Sequence, residues 1–196
     1  MGTLNLVTKP NSNTLLRRDL TSALRLIVIT DHHLAKPRKV VEIVEGALLG
    51  GAKAIQLRNK GDTANELLKT GKQLRDLTRA HEALLFVNDR VDIALSIEAD
   101  GVHLGPQDPP LQDVRRIVPD EFIIGFSADD PDLAHSAVVE GANYIGCGTI
   151  YPTSTKPDAG DVIGMSGLRS VIDAVDVPVI AIGGITNHRI AEVLAV

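Results

Sequence analysis

The stretch on which the fold reading turns is Tyr144-Ile145-Gly146-Cys147-Gly148-Thr149-Ile150-Tyr151-Pro152-Thr153-Ser154-Thr155-Lys156. A short apolar run ends in a proline-stiffened turn that carries hydroxyls and a cation. Such a turn presents hydrogen-bond donors and positive charge to an anion, phosphate above all. Alone it would pass for an ordinary Pro/Ser/Thr loop. Other apolar runs of the chain end in polar or glycine-rich clusters as well: Gln56-Leu57-Arg58-Asn59-Lys60, Asn88-Asp89-Arg90, His103 to Asp108, and Gly183-Gly184-Ile185. An open doubly wound sheet gathers its ligand chemistry at one switch point. Polar clusters after nearly every strand belong instead to a closed parallel barrel.

Working outward, apolar runs alternate with amphipathic ones along the chain. The pattern predicts strands at Leu26–Thr30, Ala54–Leu57, Leu84–Asn88, Gly101–Leu104, Ile123–Phe126, Tyr144–Gly148 and Val177–Ile182. Between them it predicts helices at Arg38–Leu49, Thr63–His81, Val91–Ile97, Leu111–Val118, Pro131–Glu140, Ser166–Ala174 and Asn187–Leu194. Asp130-Pro131 reads as a cap with proline at the first helical position, and Thr186 as the cap of the last helix. Gly50-Gly51 and Gly141 read as left-handed helix ends. Strict alternation of this kind means parallel strands with right-handed crossovers. The fold expected is an α/β TIM (β/α)8 barrel over residues 24–196, preceded by an N-terminal extension at 1–23. Seven units are visible before Ala195-Val196, where an eighth strand would begin. The eighth strand and last helix are therefore expected to be missing from this chain, a closing unit of ~20–30 residues.

Composition agrees. Aromatics are 3% and tryptophan is absent, so aliphatic side chains must fill the core, as buried parallel strands require. The formal charge of −5 argues against nucleic acid as a partner. No apolar run approaches a membrane span. One cysteine, Cys147, cannot form an internal disulfide, which suits a reducing, cytoplasmic location. Its glycine neighbours mark it as a small buried residue. His32-His33 are adjacent, so their side chains are expected to diverge rather than share a metal.

Several clusters carry chemistry. Alternation places Gln56 and Arg58 on one face with Lys60 just beyond, and inward-facing cations in a barrel need an anionic partner. Asp89 and Asp108 fall at neighbouring strand ends close to those cations. That pair suits a hard cation such as Mg2+, held by few protein ligands plus phosphate oxygens. The same residues admit a local reading, with Asp89 pairing with Arg90 or capping the helix at Val91, and Asp108 opening a turn before Pro109. Ser127 offers a lone hydroxyl. Gly183-Gly184 precede a helix start, where bare backbone N–H groups cradle phosphate.

The ordered motifs Ile29-Thr30-Asp31, Gln56-Leu57-Arg58-x-Lys60, Val87-Asn88-Asp89-Arg90-Val91-Asp92, Ala99-Asp100-Gly101-Val102-His103-Leu104-Gly105, Gly141-Ala142-x-Tyr144, Tyr151-Pro152-Thr153-x-Thr155-Lys156 and Ile182-Gly183-Gly184-Ile185 resemble the thiamine-phosphate synthase family. The likeness runs from about residue 24 to the end. It implies a transferase of thiamine biosynthesis acting on small-molecule substrates. Such an enzyme joins 4-amino-2-methyl-5-hydroxymethylpyrimidine diphosphate to 4-methyl-5-(2-hydroxyethyl)thiazole phosphate and releases pyrophosphate with Mg2+. By the same resemblance Gln56, Arg58, Lys60 and Asn88 hold the pyrimidine diphosphate, with Asn59 beside them. Asp89 and Asp108 bind Mg2+, and Ser127 and Lys156 contact the departing diphosphate. Thr153, Ser154, Thr155 and Gly184 receive the thiazole phosphate. Arg58, Lys60, Ser127 and Lys156 are the catalytic set.

The chain departs from the family pattern at Asn59, where Glu is usual, at Pro106-Gln107, and at Asp129, where His is frequent. Two rivals share the fold: a thiazole tautomerase, which typically lacks the second carboxylate and the Pro-Thr-x-Thr-Lys loop, and a non-catalytic phosphate-binding relic. Homo-oligomerisation is left open.

Overall fold

A computed structural model describes residues 20–153, 155 and 160–196. Its centre is one sheet of seven parallel strands in sequence order: β1 (Ile27–Ile29), β2 (Ala54–Leu57), β3 (Leu84–Asn88), β4 (Gly101–Leu104), β5 (Ile123–Ser127), β6 (Tyr144–Cys147) and β7 (Val179–Ala181). Among the described residues, eight helices lie between and after them: α1 (His32–Ala35), α2 (Val40–Leu49), α3 (Ala64–Ala80), α4 (Val91–Ser96), α5 (Leu111–Ile117), α6 (Pro131–Val139), α7 (Gly164–Ala174) and α8 (Ile190–Leu194). This is a TIM-like α/β architecture. Neighbouring strands keep a simple register, for example Gln56↔Phe86, Asn88↔His103 and Ser127↔Gly146. Among the described residues no pairing joins β7 to β1.

The sheet curls. Its concave face gathers residues from strands far apart in the sheet order: Ala54 on β2 and Phe86 on the adjacent β3 pack together with Tyr144 on β6 and with Leu24, and the rings of Phe86 and Tyr144 meet edge-on at 5.6 Å between centroids. A flat sheet would hold β6 well away from β2 and β3. A helical turn at residues 20–23 precedes β1, and Leu20 already packs against this interior. The larger apolar core lies on the convex face, where Leu57, Leu74, Leu85, Val87, Ile124, Ile145 and Leu168 are buried between strands and helices. β2 shows the result most plainly, with all four residues buried.

Local chemistry explains most element ends. The Asp130 side chain accepts from the backbone N–H groups of Asp132 and Leu133, with Pro131 opening α6. Thr63 and Glu66 form a reciprocal capping box at α3. Three expectations need correcting. Thr186 does not cap the last helix: residues 187–189 form a turn and α8 starts at Ile190, with no side-chain cap. Gly50 is right-handed (φ −75°), and only Gly51 takes the left-handed turn (φ 94°). His32 and His33 do not diverge; the short helix α1 brings their ring centroids to 3.9 Å, while His32 Nδ1 pairs with Asp62 at 3.1 Å.

Candidate functional site

The site is built at the C-terminal ends of the strands, where parallel barrels place their loops. On β2, Gln56 is buried at 4% exposure and points to the concave face. Arg58 follows, half-buried, and Lys60 is exposed. The backbone around Arg58 is held by β1: the Thr30 hydroxyl accepts the Arg58 N–H at 2.9 Å and donates to Asn59 Oδ1 at 3.3 Å. Asn59 in turn donates to Asp62 Oδ2 at 3.0 Å. Its side chain is 8% exposed, and both ends of its amide are engaged within the loop. Thr30 is a buried hydroxyl that the sequence shows only as part of a short motif.

Asp89 follows β3 with φ +63°, a left-handed conformation that L residues adopt sparingly and Asp better than most. Its N–H donates to the His103 carbonyl on β4 at 2.9 Å, which holds the strained turn against the sheet. The local alternatives for this carboxylate fall away. Arg90 makes its ion pair with Asp92, at 2.8 Å from Nε, and α4 has no side-chain cap. Asp89 instead meets Asp108. Burial, a hydrogen bond with Asp108 and the repulsion of its charge push the Asp89 carboxyl up to about 6, with Lys60 and Arg58 pulling the other way. Asp108 does close a turn, accepting the Gly105 N–H at 2.7 Å, and it faces Asp89 as well.

Two facing carboxylates in a half-buried position are hard oxygen donors of the kind that suits a cation such as Mg2+. Among the described residues no group of three or more His, Cys, Asp or Glu is placed to bind a metal. A cation held here would need water or ligand oxygens to complete its shell.

Under this rim, an unbroken set of polar contacts crosses the concave face. His103 Nε2 lies 2.9 Å from Ser127 Oγ, and His103 Nδ1 lies 3.0 Å from the Tyr144 hydroxyl. The phenol is 1% exposed; burial raises its pKa, and a hydrogen bond with Gln56 works against that rise. Two glycines make room. A Cβ on Gly125 would sit 2.0 Å from Tyr144 Cζ, and one on Gly146 would sit 2.9 Å from His103 Cε1.

On the far side, the loops after β6 and β7 are laced together. Ile150 N–H donates to the Ile182 carbonyl and Tyr151 N–H to the Gly183 carbonyl, both at 3.0 Å. Gly184 has φ +62°, and a Cβ there would lie 2.5 Å from the carbonyl oxygens of Tyr151 and Pro152. Arg189 clamps the arrangement. It donates to the Gly184 carbonyl at 2.8 Å and lies over the Tyr151 ring at 4.1 Å, while the Tyr151 hydroxyl donates to Glu192 at 2.9 Å. Thr153 Oγ1 accepts the Thr155 N–H at 3.2 Å. Ser154 and Lys156 lie outside the described residues. Arg189 has no signature in the sequence, because its partners are a backbone carbonyl and a ring 38 positions away.

Of the expected residues, Gln56, Arg58, Lys60, Asn88, Asp89, Asp108 and Ser127 sit at the ends of β2 to β5, while Thr153, Thr155 and Gly184 sit at those of β6 and β7. Cys147 is fully buried and its thiol is pushed up to about 12 by burial and the Asp129 charge, so it is no nucleophile. Asp129 accepts the Gly148 N–H at 3.0 Å.

A TIM-like α/β barrel with acidic and basic side chains converging on its C-terminal rim is the class that fold and site define. The family model described as thiamine monophosphate synthase matches residues 26–196. The chain is 49% identical over 176 residues to the thiamine-phosphate synthase of Pyrococcus furiosus, covering 90% of this chain and 83% of that protein. It is 46% identical over 170 residues to that of Moorella thermoacetica, covering 87% and 81%. The solved thiamine phosphate pyrophosphorylase from Pyrococcus furiosus superposes with a TM-score of 0.80 at 45% identity, over 90% of this chain and 83% of that one. This chain belongs to the thiamine monophosphate synthase family.

Proposed function

We propose that this chain forms thiamine phosphate by joining 4-amino-2-methyl-5-hydroxymethylpyrimidine diphosphate to 4-methyl-5-(2-hydroxyethyl)thiazole phosphate. The bond between the pyrimidine methylene carbon and the diphosphate oxygen breaks, its electron pair leaving with pyrophosphate. The thiazole nitrogen supplies the pair for the new C–N bond. No general base is needed, because that nitrogen carries no proton to lose.

The observation that carries this reading is the facing pair Asp89 and Asp108, set within the electrostatic reach of Arg58 and Lys60. Acidic and basic groups held together suit a cation-bound diphosphate better than a lone phosphate. Asp89 and Asp108 would hold Mg2+, which when bound supplies positive charge to the leaving oxygens. Arg58, its backbone pinned by Thr30, would bind the diphosphate with Lys60, Ser127 and Lys156, and these donors would strengthen as negative charge builds on it. Gln56 and Asn88 would orient the pyrimidine. Thr153, Ser154, Thr155 and Gly184 would take the thiazole phosphate against the Gly183-Gly184 turn, where the loop lacing leaves backbone N–H groups available.

The test is a coupled assay of pyrophosphate release with both substrates and Mg2+. Thiamine phosphate and pyrophosphate appearing in equal amounts is the expected result. Isomerisation of a thiazole carboxylate without coupling would assign the chain to the tautomerase activity, and binding of both substrates without turnover would make it a relic.

A further inference from the structure

We propose that Gln56, Tyr144, His103 and Ser127 form one directional hydrogen-bond relay, through which an anion held by Ser127 sets the orientation of the Gln56 amide. This rests on the functional reading above for what the two ends touch. The four residues come from β2, β6, β4 and β5. Their links are the Gln56–Tyr144 hydrogen bond, the 3.0 Å contact of the phenol with His103 Nδ1 and the 2.9 Å contact of His103 Nε2 with Ser127. The phenol is sealed from water, so its hydrogen bonds are made within the protein.

A neutral imidazole carries one N–H, so one of its ring nitrogens donates and the other accepts. Only two polarities of the relay are therefore self-consistent. In the first, Nδ1–H donates to Tyr144, Tyr144 donates to the Gln56 carbonyl oxygen, and the Ser127 hydroxyl donates to Nε2. Ser127 then has only acceptor capacity left for a ligand. In the second, the Gln56 NH2 donates to Tyr144, Tyr144 donates to Nδ1, and Nε2–H donates to Ser127. The Ser127 hydroxyl is then free to donate outward.

A diphosphate accepts hydrogen bonds and offers none when fully ionised, so only the second polarity serves it. The consequence appears at the other end. With its NH2 committed to Tyr144, Gln56 turns its carbonyl oxygen to the ligand, which is the group that accepts from an exocyclic amine on a pyrimidine. Diphosphate at one end and an aminopyrimidine at the other thus select the same proton arrangement. The relay favours a substrate carrying both groups over fragments carrying either. Tyr144 and His103 act as positioning residues, and their slots exist because Gly125 and Gly146 have no side chains.

The test combines nitrogen NMR of 15N-histidine-labelled full chain with kinetics. Inorganic pyrophosphate with Mg2+ should leave His103 protonated at Nε2. Gln56→Ala and Ser127→Ala should be non-additive in kcat by roughly tenfold, the size of one net hydrogen bond. Tyr144→Phe, whose ring still fills the Gly125 slot, should lower kcat by a similar factor, leave the thiazole phosphate KM unchanged, and make the other two effects additive. His103 protonated at Nδ1, or at both nitrogens, with pyrophosphate bound would overturn the relay. So would additive effects in the unaltered background. If Tyr144→Phe fails to fold, the NMR result on the unaltered chain decides. Wild-type turnover by Ser127→Ala would overturn the relay alone, whereas no pyrophosphate binding by calorimetry and no coupling by the unaltered chain would overturn the functional reading and the relay with it.

Discussion

The two ends of this barrel use the same residue types to opposite purposes. At the N-terminal end of the strands, Arg115 spends its guanidinium on the Phe122 and Gly141 carbonyls and the Asn143 side chain, each at 2.8 Å. Asn143 also accepts the Ile124 N–H. Arg75 pairs with Asp100 at 2.5 Å, and the same carboxylate accepts the Leu85 N–H. These charges tie strand starts to helices. At the C-terminal end, like charges face one another at Asp89 and Asp108, one of them on left-handed backbone. On the function proposed above, that end would hold its polarity for a ligand, at a cost in stability until the ligand is bound. Where a charged group sits on a parallel barrel thus decides whether it serves folding or chemistry.

Replacing Asp108 by Ala should give the largest effect on the ligand end. Coupling should fall by about 10²–10³-fold, the scale of losing one preorganised electrostatic group, while the melting temperature without Mg2+ holds or rises. A lowered melting temperature with activity retained would erase the distinction between the two ends. The mirror experiment is Arg115→Ala, which strands the acceptors that it now satisfies. It should destabilise the fold by about 2–3 kcal/mol in urea unfolding and leave kcat per folded molecule unchanged.

Arg189→Ala sharpens the comparison within the ligand end. Loss of the Gly184 clamp and of the stack on Tyr151 should raise the thiazole phosphate KM by roughly three- to tenfold and leave the pyrimidine diphosphate KM where it is. Equal changes in both constants would place Arg189 in general stability instead. The remaining effect is on pH. The Asp89 carboxyl is raised from an ordinary 3.8 to about 6, so the folded chain binds this proton more tightly than the unfolded one. The corresponding stability is fully present below about pH 4 and is lost as pH rises through about 6. Asp89→Asn should flatten unfolding free energy between those values, and saturating Mg2+ should reverse the slope in the unaltered chain. An unchanged slope in Asp89→Asn would assign it to another group.

The strands were legible because their signal is local. β2, β3 and β4 fall where periodicity and apolar runs place them, and Asp130-Pro131 caps α6 through atoms two or three residues away. Polar groups at successive strand ends also follow from sequence once the strands are known to be parallel, since parallel strands put all such ends on one rim. Thr186, Gly50 and the His32-His33 pair misled for a complementary reason: each belongs to a turn whose exact path depends on what packs beside it.

What distance along the chain hides, only the curled sheet decides. Gln56 and Tyr144 are 88 positions apart and meet because β2 and β6 face across the concave side. Asp89 escapes Arg90 and Val91 because its left-handed turn, held by the His103 carbonyl, aims it at Asp108. Asn59 stands beside Arg58 and Lys60 in the sequence, and the fold lets its amide bridge Thr30 and Asp62. Sequence determines which elements form and which groups stand at their ends, because hydrogen-bonded elements and caps are short-range. Which of those groups face one another is set by the curl of the sheet, because side-chain partnership depends on separation in space and not along the chain.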